Sequence, residues 1–345
     1  LGDWSLDAGV ELNGYFGYGE AIYARASSSP NVSSDNGLFS SDPQQRTLAL
    51  GVVFPIGADG LTFNLEASQS DAAPESDVAD SRSSFQRVSA RLSYPYIRSR
   101  QTNLNLQIGL DMQEDTLDLI TAAGPIGVYE DRLTVLRATA SGNYVHDDGA
   151  VSEGGATLSF GLNTFGARSA ADVGGGPPLS RAGADADFRK LEISAKHRRK
   201  LGEDWFLSLA GRAQTSFGDP LPTSEQIGIA SVQEVSAFDN GALTGDSGWT
   251  LRGELSRPFD VESQVGPVNL RPYAFAAIGE VTLHQPEVGE PGTVRATAFG
   301  AGIEANFSTD PNFAGVTVRA EFGQGARNDG GSDGSYVTLL GTYRF

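Results

Sequence analysis

Apolar and polar residues alternate along most of this chain. From Trp4 to Asn13, the residues Trp4, Leu6, Ala8, Val10 and Leu12 fall on one face. Ser5, Asp7, Gly9, Glu11 and Asn13 fall on the other. Leu48, Leu50, Val52 and Phe54 repeat the pattern, as do Leu61, Phe63, Leu65 and Ala67. It is clearest at Leu104, Leu106, Ile108, Leu110 and Met112, which are set against Asn105, Gln107, Gly109, Asp111 and Gln113. Side chains of an extended strand point to opposite faces in turn, so each such segment has one oily and one wet face. The pattern predicts strands near 3–13, 19–27, 45–55, 61–69, 85–96, 102–113, 131–146, 154–164, 187–199, 204–215, 223–230, 248–258, 268–282, 294–307, 314–324 and 335–345. Sixteen is an even number, as in bacterial single-chain barrels.

The connections are of two kinds. Gly57-Ala58-Asp59-Gly60 and Gly202-Glu203-Asp204 are short turns, whereas 28–44, 69–84, 165–186 and 285–293 are long and polar. Short turns at one end and long loops at the other are the layout of an outer-membrane barrel. A soluble sandwich or propeller also alternates. Strands of about ten residues, long enough to cross a bilayer at a tilt, favour the membrane. So does the final strand, where Val337, Leu339, Tyr343 and Phe345 share a face. Tyr343 and the terminal Phe345 resemble the signal that delivers outer-membrane barrels to their assembly machinery.

Composition narrows the function. The 345 residues include 43 Gly and no Cys, and the formal net charge is −18. No run approaches the ~18 apolar residues a membrane helix needs. The acidic balance argues against nucleic acid as a partner. The groups Asp71, Glu75, Asp77, Asp80 and Asp329, Asp333 read as solvated loop surface. The missing cysteines remove disulfide, zinc-thiolate and cysteine-nucleophile chemistry. His146, His197 and His284 lie far apart in the chain without ligand spacing, and no nucleophile stands beside a base. No enzyme activity, metal or cofactor is expected. His197 sits in the basic run Lys196-His197-Arg198-Arg199-Lys200, read first as a solvated periplasmic rim and second as a contact for lipid phosphates or a periplasmic partner. Glu11, Glu66, Asp111, Glu192, Arg252, Glu254, Arg319 and Glu321 lie on polar faces. A lipid-facing Arg or Lys at mid-bilayer costs ~2–4 kcal/mol, so these faces should line the lumen.

Several fragments resemble the barrel domain of TpsB-type two-partner-secretion transporters, the hemolysin secretion/activation family, and they follow the family's order. Asn13-Gly14-Tyr15-Phe16-Gly17-Tyr18-Gly19-Glu20 is similar to its first hairpin turn. Tyr94-Pro95-Tyr96-Ile97-Arg98-Ser99-Arg100 with Asn103-Leu104 is similar to "YPLIRSRxxNL". Ser180 to Asp185, Ser224-Glu225-Gln226-Ile227-Gly228, Leu243 to Gly248 and Pro272-Tyr273-Ala274-Phe275 match further stretches. The resemblance implies a sixteen-stranded transmembrane β-barrel of the outer-membrane insertase and translocase superfamily, in a Gram-negative outer membrane. Its partners would be membrane lipids, the barrel-assembly machinery and a secreted partner protein exported unfolded. Residues 1–345 are expected to be barrel throughout, since no POTRA-like pattern precedes Trp4. The sixth extracellular loop is expected at about 231–247.

The family's sixth loop carries a "VRGY/F" tip whose Arg pairs with a wall Asp. The corresponding residues here are Val235, Ser236, Ala237 and Phe238, with Ala277, and Arg271 nearby, as the wall facing them. Both charges of that lock are absent. Joint loss of a buried pair can be nearly neutral, whereas losing one member costs about 3–5 kcal/mol. The sequence leaves two arrangements open: a tip held in the lumen by Phe238, or a tip swung out. It also leaves open a non-transporting structural or assembly barrel and, more weakly, a passive diffusion channel.

Overall fold

The computed structural model describes residues 6–28, 38–40, 43–73, 80–239, 241–263, 266–310, 314–331 and 333–344. Sixteen strands form one antiparallel sheet. They are β1 Leu6–Asn13, β2 Ala21–Ser28, β3 Arg46–Ile56, β4 Leu61–Ala72, β5 Ser81–Arg98, β6 Thr102–Thr121, β7 Gly124–Val145, β8 Val151–Gly161, β9 Arg189–Leu201, β10 Trp205–Thr215, β11 Ser247–Ser256, β12 Phe259–Ser263, β13 Gly266–Thr282, β14 Thr293–Asp310, β15 Ala314–Arg327 and β16 Gly334–Arg344. Sequence neighbours are sheet neighbours throughout, except that β11 and β12 are successive partners of β13. The break between them falls at Arg257-Pro258, and Pro258 has no N–H for the ladder.

The oily face points outward. Val10 is 66%, Leu50 60%, Phe299 62% and Val337 75% exposed. A sandwich would bury these rows; here they form the surface that meets hydrocarbon. The buried apolar clusters lie instead inside the barrel. Inward charges are paired: Glu66 accepts from Tyr23 at 2.7 Å and Arg91 at 3.3 Å, and Arg271 donates to Glu304 at 2.6 Å.

Three expectations change. The segment 223–230 is not a wall strand; only Ile227 and Gly228 pair, with Gly245 and Thr244, in a two-residue ribbon. That segment runs through the lumen. An extended chain packed there needs the same apolar residues as a strand, so the local pattern does not separate the two. The β6–β7 ladder continues past the predicted ends to a turn at Thr121 and Gly124. Leu117 and Leu119, and Ile126 and Val128, carry the alternation on into that projection, beyond the ends the reading assigned. Asp71, read as loop surface, stands in β4 and accepts from Arg46 at 2.6 Å, Ser84 at 2.9 Å and Gln69. Glu75, Asp77 and the C-terminal Phe345 lie outside the described residues. Tyr343 is on β16 and is 67% exposed.

Candidate functional site

The connection from β10 to β11, 216–246, starts at the long-loop end and folds back into the lumen. Phe217 and Gly218 both take positive φ (56° and 98°), which turns the chain inward. Ile227–Gly228 against Thr244–Gly245, and Ile229 N–H donating to Leu243 O at 2.9 Å, make a short stem. Beyond the stem lies the tip, 231–242.

The base is held by Glu225, only 1% exposed. Its Oε1 accepts from Arg137 Nη2 at 2.6 Å and Gln113 Nε2 at 2.9 Å, and Lys190 Nζ lies 2.7 Å from Oε2. Lys190 and Gln214 also donate to the Glu225 carbonyl, at 2.9 and 3.1 Å. Donors from β6, β7 and β9 thus converge on one carboxylate, and β9 and β10 hold the backbone carbonyl of the same residue. Burial alone would raise its pKa, but Lys190 and Arg137 hold it at about 2. The return leg is held by Asp246, which is fully buried. Arg181, from the β8–β9 loop, grips both its oxygens at 2.8 and 2.9 Å, and the backbone N–H groups of Leu221 and His284 donate at 2.9 and 2.6 Å.

The tip is inside. Val235, Ser236, Ala237 and Phe238 are 0, 4, 2 and 8% exposed. Val235, Ala237 and Phe238 pack in one cluster with Tyr273, Phe275, Ala277 and Val294 of the wall. Ala277 therefore belongs to the surface the tip covers. Arg271 is occupied by Glu304 and lines a separate cavity of about 460 Å³. Ser236 Oγ donates to Glu321 Oε1 at 2.6 Å and accepts from Arg252 Nη1 at 3.0 Å. Arg252 Nη2 donates to Glu321 Oε2 at 2.7 Å, and its guanidinium lies 3.8 Å from the Phe275 ring centre. Tyr273 OH donates to the same oxygen at 2.6 Å, and Arg319 Nη2 does so at 2.8 Å. The Arg252–Glu321 pair is thus wall to wall, and the loop adds a neutral hydroxyl to it; two residues earlier, Glu234 of the tip accepts from Arg212 of β10 at 2.9 and 3.0 Å and from Thr250 at 3.2 Å. Two glycines make room for the tip. A Cβ on Gly334 would lie 1.9 Å from Ala237 O, and one on Gly325 would lie 2.6 Å from Ala237 Cβ.

The sequence reading named the tip residues and listed Arg252 and Glu321 as inward charges, but gave no role to Glu225, Asp246, Arg181 or Arg137. The signal present was their place in the fragments that match the family's order, Ser224 to Gly228 for Glu225, Leu243 to Gly248 for Asp246 and Ser180 to Asp185 for Arg181. Beside and beneath the loop remains a cavity of about 1300 Å³, lined in part by Asn103, Asn105, Asn143, Glu153, Lys196 and Gln233. Among the described residues, no group of three or more His, Asp or Glu is arranged to hold a metal ion.

Above the wall, Asp115 and Asp131 face each other across β6 and β7, beyond the last β8 rung at Val135. Ser180 N–H, from the β8–β9 loop, donates to Asp131 Oδ1 at 2.9 Å. Burial, and then the Asp131 charge, push Asp115 up to about 6. A carboxyl raised in the folded state supports that state below its ordinary pKa, and the support is lost as pH rises through 6. Protease nicking of the 162–186 loop is expected to be slower near pH ~5 than near pH ~7.5. Burial raises Asp131 as well, so Asp115→Asn should reduce the difference and Asp115→Asn with Asp131→Asn should abolish it. A pH effect undiminished in Asp115→Asn would refute this assignment.

A family model for the haemolysin secretion/activation protein ShlB/FhaC/HecB matches residues 1–305. Over 120 residues, 34% of the chain, the sequence is 30% identical to the hemolysin transporter protein ShlB of Serratia marcescens, covering 21% of that protein. CdiB from Escherichia coli aligns with a TM-score of 0.66 at 20% identity, over 99% of this chain and 58% of that one. CdiB from Acinetobacter baumannii gives 0.67 at 16% identity, over 99% and 56%. BamA from Haemophilus ducreyi, crystallised without POTRA domains 1-3, gives 0.62 at 12% identity. At these identities the solved structures carry the fold alone, and the chain spans little more than half of either CdiB.

Proposed function

Because the chain belongs to the haemolysin secretion/activation family ShlB/FhaC/HecB, we propose that it is the pore of an outer-membrane translocator that exports an unfolded partner protein through its lumen. The observation that carries this reading is the loop in the lumen: a displaceable segment fastened by polar anchors within a wet channel. Its tip offers Ser236 to a charge pair that stays complete when the tip leaves, because Arg252 and Glu321 remain together at 2.7 Å. Release does part Glu234 of the tip from Arg212 of β10, 2.9 Å apart, but both side chains are partly exposed, 15 and 29%, so neither charge is left buried and dry, the costly outcome in such sites. The free wall beside the loop presents Asn103, Asn105, Asn143 and Ser194. With Glu153 and Lys196 of opposite sign beside them, these polar groups let an extended chain slide without an oily patch or a field of one sign to hold it.

A purely structural barrel was suggested by the missing Arg and Asp of the loop lock. The Arg252–Glu321 pair supplies a charged contact at that place, which weakens the suggestion. A standing diffusion channel fits poorly with a lumen crossed by a well-anchored loop.

The chain has no cysteine, so a staple can be introduced cleanly. A Cβ on Gly323 would lie 3.7 Å from Ser236 Oγ, within range of a disulfide. With Ser236→Cys and Gly323→Cys in the full-length protein, the oxidised form is expected to stop export, and reductant should restore it. Mass spectrometry of the medium reads the result, and the polypeptide that disappears on oxidation identifies the partner. Undiminished export with the staple closed would overturn the reading.

A further inference from the structure

The basic run on β9 is divided by strand alternation. Lys196 lines the luminal cavity, and Arg198 stacks 5.0 Å from the ring centre of Phe206, which lines the second one. His197 and Arg199 therefore point outward, near the short Gly202-Glu203-Asp204 turn. The register sets Ser152 opposite His197 and Tyr144 opposite Ser152. His146 Nε2 and His197 Nδ1 lie 2.8 and 2.9 Å from the one Ser152 hydroxyl. The two imidazoles, 88 and 83° edge-on to Tyr144 and to each other respectively, form a continuous outward cluster. A single hydroxyl proton serves only one imidazole; the other must donate to the oxygen. In either arrangement of the neutral pair, one imidazole keeps an N–H at its remote nitrogen, free to meet an acceptor. Arg199 is half exposed and, among the described residues, pairs with the half-exposed Asp148 at 3.0 Å. Such an exposed pair is weak and leaves other guanidinium N–H groups available.

A second observation lies directly membraneward. The next outward row is Gly142, Gly154, Ala195 and Gly211, and the row after it is Ala140, Ala156, Ile193 and Ala213. The first row carries no side chain larger than a methyl, which leaves a furrow across four strands, bounded on its membrane side by Ile193, 49% exposed. Tyr144, 41% exposed, stands one outward row to the periplasmic side, as in an aromatic girdle. A cluster that donates to an anion, placed at the mouth of a hydrocarbon-facing furrow, fits an amphiphile better than a free ion.

We propose that this outward face of β7–β10 holds one phospholipid of the periplasmic leaflet, its phosphate at His146, Ser152, His197 and Arg199 and one acyl chain in the furrow. The inference needs only the barrel and its orientation, and stands apart from the export reading.

The test uses the full-length protein extracted from membranes in mild detergent, with native mass spectrometry counting retained phospholipid and heat-modifiable gel mobility confirming a folded barrel. The wild type is expected to keep one phospholipid through a delipidating wash. His197→Ala with Arg199→Ala should lower occupancy at least about tenfold. Gly154→Leu, which fills the furrow and leaves the polar cluster intact, should do the same. Inorganic phosphate should not displace the lipid. Loss of lipid in both variants supports the site. A wild type that washes free of lipid, variants that retain it, or displacement by inorganic phosphate each overturn it.

Discussion

Exchanging Glu225 for Ala is expected to loosen the base of the luminal loop and to destabilise the barrel more than any other single change in the lumen. The substitution leaves Arg137 and Lys190 in place, with side chains 21 and 10% exposed and their shared carboxylate gone. Removing one partner from a buried ion pair costs about 3–5 kcal/mol, because the remaining charge is neither solvated nor neutralised. Asp111 still touches Arg137 at 2.7 Å, so the guanidinium is not wholly abandoned. Lys190 has no such reserve among the described contacts. With its carboxyl at about 2, Glu225 contributes fully at neutral pH, and the contribution disappears as pH falls through that value. Glu225→Gln keeps the volume and hydrogen-bonding capacity and should fall between wild type and Ala. Adding Lys190→Met to Glu225→Ala should recover part of the loss. The temperature of the heat-modifiable gel shift and the open fraction in planar bilayers measure the two effects. A Glu225→Ala barrel that melts like wild type and stays closed would remove Glu225 from the anchor.

Gly334→Val should act at the other end of the loop. The tip carbonyl of Ala237 occupies the space of the first side-chain carbon, 1.9 Å from its ideal position. No rotamer relieves a clash between a Cβ and a backbone oxygen, so either β16 or the tip must move. β16 is held by a ladder of eleven residue pairs with β15, the tip by packing of Val235, Ala237 and Phe238, the Ser236 contact and the part-exposed Glu234–Arg212 pair. The tip is expected to yield. Phe238 would lose its burial, roughly 1.5–3 kcal/mol of apolar stabilisation. Conductance should rise to frequent, long openings while the barrel stays folded, and a fluorophore on a cysteine placed at residue 238 should report water. A closed, quiet Gly334→Val pore with Phe238 still shielded would show that the strand, not the tip, gives way.

The wall was legible because its physics is local. Leu104 to Met112 alternate whatever the distant chain does, and the same holds for Phe299 to Phe307. The two-sided solvent writes itself into every second residue. The luminal contacts are of another kind. Glu225 meets Arg137 88 residues away and Gln113 112 residues away, and no spacing rule links them. Arg252 and Glu321 were recognisable as inward charges, yet their meeting depends on barrel curvature and on the loop that covers them. His146 and His197, far apart in sequence, share Ser152 only because β7, β8 and β9 are consecutive neighbours. Residues 223–230 were misread because burial in a lumen and burial in a sheet ask for the same side chains.

The depth of the loop's fastenings gives the pore a direction. Glu225 and Asp246 pin both legs near the outer mouth, while Ser236 meets Arg252, six residues further along the chain than Asp246, or about 20 Å of strand inward. The segment is a lever with its hinge at the outside and its far end within, latched by Ser236 and by the part-exposed Glu234–Arg212 pair. Under the export proposed above, a push from the periplasm lands on that far end, where torque is greatest, and a push from outside presses on the hinge. The lever then works as a check valve, yielding to outbound traffic and seating more firmly against anything arriving.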